Sequence, residues 1–152
     1  MCTTKDGAEA ALAALRAMVA IADSSVTRHT SDLTLTQFRA LRVVAERTPV
    51  TMGRVARELA MNPSSVTRAC ERLVSLGLLQ RAQNPLNKRE TLLAPAPAGR
   101  QLVDQVDHDR RAALVAVLDG FDPDTRKAAI TVFERFALAA QPVLDLPVEP
   151  PS

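Results

Sequence analysis

Five of six polar side chains that share one face of the stretch MNPSSVTRACERLVS, if it is a helix, can meet a polyanion. At about 100° per residue, Ser64, Thr67, Arg68, Glu71, Arg72 and Ser75 share one side, while Val66, Ala69, Cys70 and Leu73 share the other. The second set is apolar and must face a core, which leaves the first set in solvent. Short hydroxyls let a backbone come close to a partner, and arginine offers a forked donor pair to guanine or a single charge to phosphate. Further on, QNPLNKRE is polar and basic and carries Lys88 and Arg89. Upstream, Arg54 and Arg57 point away from the apolar stripe Met52, Val55, Ala56 and Leu59, as plain surface residues or as phosphate contacts.

Other chemistry finds little footing. An enzyme needs a nucleophile with its base, a phosphate-cradling glycine loop or a metal cluster, and five scattered glycines and two isolated histidines supply none of these. Neither catalysis nor a cofactor is expected. His29 and His108 have no acid or cysteine at ligand spacing, so no metal site is expected either. Cys2 and Cys70 lie far apart and outside any CxxC spacing, which argues against a disulfide framework and for a reducing compartment. A redox role for Cys70 is disfavoured because it falls on the inward stripe, where cysteine acts as a small apolar residue. Asp104, Asp107 and Asp109 read as a solvated helix face.

The elements that position these residues follow from periodicity. Leu12, Leu15, Val19, Ala22 and Val26 recur at steps of three and four, giving an apolar stripe on a helix over about residues 8–29. Thr34 and Gln37 have capping-box spacing before Phe38, Leu41 and Val44 or Ala45, so a second helix reaches about Arg47, where Pro49 stops it. Thr51 caps a short third helix, and Asn62 with Pro63 opens the fourth, which Gly77 ends in the left-handed conformation. The runs 78–82 and 91–94 read as a hairpin around the basic tip. Two helices joined by a short turn near Ala60 to Asn62, then a basic hairpin, describe a winged helix-turn-helix. In that arrangement one helix enters the major groove and the hairpin reaches phosphate or minor groove. A long helix from about Pro97 to Leu118 bears Leu102, Val106, Leu114 and Leu118. After it, Asp122 and Pro123 open a last helix with Ile130, Phe133 and Leu138. Such a long helix cannot bury its stripe alone, and a second subunit would cover it.

Charge agrees with this division. The 152 residues carry a net +2, yet the segment from Arg39 to Arg100 holds eleven Lys or Arg against four acids, while the remainder holds eight against thirteen. A basic middle between acidic ends suits a polyanion at the middle, the bland alternative being a solvated basic surface. With 47% hydrophobic residues the chain can bury a core of its own. No apolar run is expected to approach the roughly 18 residues of a membrane span, and the start lacks the order of a secretory signal, so a cytoplasmic location without membrane contact is expected.

These blocks resemble the MarR family of bacterial transcription regulators, most specifically in LTQFRALRVVAE, VARELAMNPSSVTRACERLVSLGLLQR and KRETLLAPAPAGRQLV. The resemblance implies a mainly α fold with a small β-hairpin wing. Residues 34–96 would form the winged helix-turn-helix, residues 1–33 and 97–144 the dimerisation helices, and residues 145–152 a disordered tail. It implies a homodimeric, ligand-responsive repressor that binds double-stranded DNA at a pseudo-palindromic operator and answers to a small aromatic or anionic effector. By the same resemblance, Ser64, Ser65, Thr67 and Arg68 meet DNA, where Arg72 joins them from its place on the outward face; Arg89 is the wing arginine that enters the minor groove, with Lys88 next to it on the tip, and Glu71 pairs with Arg89 to set the wing angle. The family's wing aspartates are here Asn84 and Asn87, and its capping threonine is Ala96, a loss on the order of 1 kcal/mol that loosens that junction. Arg16, Arg28 and His29 are candidates for an effector site on the first, second and fifth helices. The alternative is a helical protein-interaction or small-molecule-binding module without specific operator binding, which would lack the outward Arg68, Arg72, Lys88 and Arg89.

Overall fold

The computed structural model describes residues 4–144. Cys2 and the tail expected at residues 145–152 lie outside them. The elements run α1 (Thr4–Thr27), α2 (Leu35–Arg47), β1 (Val50–Thr51), α3 (Met52–Leu59), α4 (Pro63–Ser75), β2 (Leu79–Gln83), β3 (Thr91–Pro95), α5 (Pro97–Asp119) and α6 (Pro123–Leu144). The fold is mainly α with an antiparallel sheet ordered β1-β3-β2, in which Val50 and Arg81 flank Leu93 from either side. The hairpin expected from the sequence is present as β2 and β3, and β1 adds a third strand. Two compact units divide after Arg111, so the first half of α5 belongs with α1 to β3.

Each helix of the first unit begins and ends where its residues require. Thr34 Oγ1 accepts from Gln37 N at 3.2 Å while Gln37 Oε1 accepts from Thr34 N at 3.0 Å, a complete capping box for α2. Asn62 Oδ1 accepts from Ser64 N at 2.9 Å and caps α4, with Pro63 in the first turn, where no N–H is needed. Gly77, at φ +72°, closes α4: its N–H reaches Val74 O at 3.0 Å and the next N–H, of Leu78, reaches back to Leu73 O at 2.9 Å. The turn between α3 and α4 repeats this pattern with a non-glycine residue. Ala60 sits at φ 49°, its N–H on Arg57 O and that of Met61 on Ala56 O, both at 3.1 Å.

Phe38, Leu41 and Val44 of α2, Val55 of α3, Val66, Cys70 and Leu73 of α4, Leu93 of β3 and Val106 of α5 form one buried core, joined by Val26 at the end of α1. Burying each such side chain stabilises the fold by about 1.5–3 kcal/mol. The inward set expected for α4 is the buried set. Where Ala96 replaces a capping hydroxyl, the junction is held differently from the loosening expected. Ala96 is buried, its N–H donates to Leu78 O at 2.9 Å, and Gly99 packs directly against the Leu78 carbonyl.

Two expectations are corrected here. Asp107 and Asp109 are not a solvated face: Asp107 pairs with Arg42 of α2, and Asp109 accepts from His29 Nε2 at 2.9 Å and pairs with Arg28 at 3.5 Å. The partners lie more than 60 residues away in sequence, beyond the reach of local spacing. In addition, α1 is long and apolar enough by composition to cross a membrane, against the expectation that no run would be. Alanines spread through it raise its hydropathy without forming one block of large side chains. The helix carries Arg16 near its middle, and its C-terminal turn ends in the core through Val26.

Within the second unit, Arg126 closes the turn between the helices by donating to Leu118 O at 2.9 Å and Phe121 O at 3.1 Å. Asp122 caps α6, its Oδ1 accepting from Asp124 N and Thr125 N; the Thr125 hydroxyl bond first, and then these backbone bonds, hold its carboxyl below the usual carboxylate range. No residue of α6 is buried.

Candidate nucleic-acid interface

The core side of α4 is fixed by Val66, Ala69, Cys70 and Leu73, so helical geometry alone presents the other side outward. Ser64, Ser65, Arg68, Glu71, Arg72 and Ser75 are exposed there and Thr67 is half-buried. Several polar groups are already occupied. Ser64 Oγ donates to Asn62 Oδ1 at 2.7 Å and Thr67 Oγ1 to the Pro63 carbonyl at 2.9 Å, leaving both hydroxyl oxygens able to accept from a base amine. Arg72 reaches Asp32 at 4.0 Å, a loose tie to the segment before α2. Arg68 is exposed and makes no ion pair among the described residues, so its donor fork is available.

The α3 arginines separate in the same way. Arg54 lies 3.6 Å from Glu58, which also meets Arg47 at 3.5 Å, whereas Arg57 is exposed and makes no ion pair among the described residues. Of the two residues expected as phosphate contacts, Arg57 is the free charge. An ion pair this exposed is worth little, so Arg54 remains easy to redirect.

The wing is β2, β3 and the tip between them. Lys88 and Arg89 are exposed on the tip and form no ion pairs among the described residues. Glu71 and Arg89, both fully described, make no ion pair with each other, so the wing is fixed by other means. Asn84 Nδ2 donates to Glu90 Oε2 at 3.2 Å, Asn84 N to Glu90 O at 3.1 Å, and Gln83 Nε2 to Lys88 O at 3.0 Å. An open hollow of about 250 Å³ lies on this hairpin, lined by Arg81, Ala82, Gln83, Lys88, Glu90 and Thr91. Arg81, exposed on β2, is a basic residue of the wing that sequence reasoning placed only as the start of a strand. The exposed face of LQRAQ carries its signal, since only Leu79 in that strand is buried.

The remaining sequence candidates gather elsewhere in the first unit. Arg28 and His29 converge on Asp109, and Arg110 donates to Ser25 Oγ at 3.0 Å and to Ala22 O at 3.1 Å. Arg110 and Arg42 both stack on Phe38, at 5.0 and 5.8 Å from the ring centre. Burial, and then the like charge of Arg42, lower the Arg110 pKa, and Arg42 Nε is buried without a hydrogen-bond partner among the described residues. Arg16 is exposed on α1 and joins none of these contacts. Burial, followed by the charge of Glu71, pushes the Cys70 thiol up to about 11, so it stays protonated and unreactive at neutral pH.

Comparison with known proteins places this arrangement. The model of the MarR family matches residues 31–90, from the segment before α2 to the end of the wing tip. An uncharacterised HTH-type transcriptional regulator of Mycobacterium leprae is 29% identical over 96 residues, spanning 63% of this chain and 67% of that protein. The crystal structure of RV1404 from Mycobacterium tuberculosis shares 30% identity and superposes with a TM-score of 0.81, covering 88% of this chain and 92% of that one. FabT of Streptococcus pneumoniae, solved in complex with DNA, has the same fold at 15% identity, with a TM-score of 0.79 over 93% of this chain and 99% of that one.

Proposed function

Since the chain belongs to the MarR family of transcriptional regulators, we propose that two copies of it bind a pseudo-palindromic operator and repress transcription until a small effector binds. The observation that carries the DNA reading is Arg68, exposed on the outward side of α4 and without an ion pair among the described residues, with Arg57 on α3, Arg81 on β2 and Lys88 and Arg89 on the wing tip likewise exposed and without one. Cations without acidic partners are what a phosphate backbone rewards, because each contact releases a condensed counterion. In this reading Ser64, Ser65, Thr67, Arg68 and Arg72 face the major groove, Arg54 and Arg57 meet phosphate, and Lys88 and Arg89 reach backbone and minor groove. That FabT was solved with DNA supports the same docking here.

Dimerisation is supported by apolar surface that the single chain leaves open. On α1, Leu12, Leu15, Met18 and Val19 are exposed. In the second unit, Leu114, Val115, Ile130, Phe133, Phe136 and Leu138 are exposed as well. Exposed apolar faces of this kind mark interfaces, so α1, α5 and α6 act as the dimerisation helices. The effector is an anionic or aromatic small molecule that meets the cluster of Arg28, His29, Arg42 and Arg110, whose guanidinium groups are shared among Asp107, Asp109 and the Phe38 ring.

Selection of duplexes from a random pool by the purified protein, followed by gel shifts, tests the reading. A palindromic consensus with half-sites about one helical turn apart is expected. Arg68→Ala should blunt sequence preference, and Lys88→Ala should weaken all sequences alike and reduce the salt slope by about 1. No affinity for any duplex at low salt overturns the proposal.

A further inference from the structure

We infer that Asn84 is a positioning residue for DNA binding, clamping the wing tip through Glu90 so that Lys88 and Arg89 are presented on a closed loop; this rests on the DNA reading above. The clamp has two strands. Asn84 Nδ2 donates to Glu90 Oε2 at 3.2 Å, and Asn84 N donates to Glu90 O at 3.1 Å, so side chain and backbone close the same gap across the base of the tip. Asn84 Oδ1 accepts from Leu86 N at 3.0 Å, shaping the ascending side. Gln83, the preceding residue, braces the descending side by donating to Lys88 O at 3.0 Å. The Lys88–Arg89 segment is thus held at Lys88 O by Gln83, the last residue of β2, and just beyond Arg89 by Asn84 on Glu90.

The chemistry at Asn84 is specific to an amide. Its oxygen accepts from Leu86 and its nitrogen donates to a carboxylate, and an aspartate supplies only the first of these functions. Aspartate at this position would set two carboxylates face to face and open the tip. Asn87 differs. Its Oδ1 accepts from Arg89 N at 3.2 Å, and its amide nitrogen makes no hydrogen bond to the described residues, so aspartate there keeps the one bond it makes. The two positions are three residues apart on one exposed tip. Aspartate at either adds one negative charge to the tip, and at Asn84, which is half-buried where Asn87 is exposed, that charge also meets the Glu90 carboxylate across the clamp.

The test compares Asn84→Asp, Asn87→Asp, Glu90→Gln and the double variant Asn84→Asp with Glu90→Gln, each in the full chain, on the selected operator duplex at several salt concentrations. Asn87→Asp should weaken binding about threefold, the effect of one exposed charge. Asn84→Asp should weaken it roughly a further tenfold and flatten the salt dependence, because the tip cations no longer arrive in register. In the double variant the glutamine amide donates to the new aspartate, the net charge of the parent returns, and affinity should recover to within about threefold of the parent. Glu90→Gln alone keeps an acceptor for Asn84 and should not weaken binding. Amide hydrogen exchange at Arg89 and Glu90, whose N–H groups are bonded to Asn87, gives a readout in the free protein that needs no DNA: faster in Asn84→Asp, parental in Asn87→Asp, and restored in the double variant. Equal losses for the two aspartate variants, or no rescue by Glu90→Gln, overturn the inference while leaving DNA binding standing. A parent that binds no duplex overturns the DNA reading and this role with it.

Discussion

Replacing Gly99 by alanine should destabilise the protein, although the same exchange at Gly53 should not. Both glycines lie in the first turn of a helix, Gly99 in α5 and Gly53 in α3. A Cβ at Gly99 would lie 2.1 Å from the Leu78 carbonyl oxygen and 3.1 Å from Leu41 Cδ1, whereas one at Gly53 meets nothing within 4 Å. A carbon–oxygen contact needs about 3.3 Å, so the start of α5 must retreat by roughly 1 Å. Overpacking of this kind costs about 1–3 kcal/mol, and the retreat strains the Ala96–Leu78 hydrogen bond, itself worth about 1 kcal/mol. The helical gain of alanine over glycine, at most about 1 kcal/mol, offsets part of this. The net for Gly99→Ala is a loss of about 2 kcal/mol, and for Gly53→Ala a gain of up to about 0.5 kcal/mol. Urea unfolding at one fixed protein concentration measures both, the concentration being held because association shifts the midpoint. With a slope near 2 kcal/mol/M, the Gly99→Ala midpoint should fall by about 1 M. A midpoint at or above the parent's would show that α5 does not press on Leu78 as described.

Three other perturbations test separate parts of the fold. Ala60→Gly should stabilise by about 0.5 kcal/mol in the same urea assay, since a left-handed alanine costs about 1–2 kcal/mol and glycine returns part of that as unfolded-chain entropy. In a Cys2→Ser background, Cys70 should resist a thiol-titrating disulfide reagent at pH 8 until urea is added. Its folded pKa, near 11, lies above the ordinary 9.0, so the stability it contributes is complete below pH 9 and lost as pH rises from 9 towards 11. Cys70→Ala should remove that alkaline fall. Leu15→Glu, at a side chain 54% exposed in the single chain, should shift sedimentation equilibrium towards monomer while the helical circular dichroism signal per residue is largely kept.

What could be read from the sequence was whatever is encoded within one turn or one helix. The Thr34–Gln37 box, the Asn62–Pro63 start and the Val66–Leu73 stripe each depend on residues a few positions apart, and each stands in the structure as its spacing indicates. Strand β1 was invisible because two residues carry no periodicity; Val50 and Thr51 become a strand only through pairing with Leu93 and Leu92. The roles of Asp107, Asp109 and Arg110 were equally hidden, since their partners Arg42, His29 and Ser25 lie 65 to 85 residues away. In sequence alone, Asn84 differs from an aspartate only by a negative charge. Its function depends on Glu90, six residues on, which meets it only because the hairpin register brings both ends of the tip together.

The same long-range contacts explain how a signal at the cationic cluster could reach α4. One stretch of α5 supplies Val106 to the core, Asp107 to Arg42 of α2, Asp109 to His29 and Arg28, and Arg110 to the last turns of α1. Phe38 of α2 lies beneath Arg42 and Arg110, and α2 in turn packs directly on α4 through the buried core. An anion bound there competes with Asp107 or Asp109 for the same guanidinium groups. It releases α5 from α2 only to the extent that it binds better in the released state. Because α4 is held by its own buried stripe, Val66, Cys70 and Leu73, the response expected of the proposed effector is a movement of α2, α3 and α4 together rather than a melting of α4. Amide protection within α4 should therefore stay constant when an effector abolishes DNA binding; loss of protection between Val66 and Leu73 would mean that the helix unfolds instead.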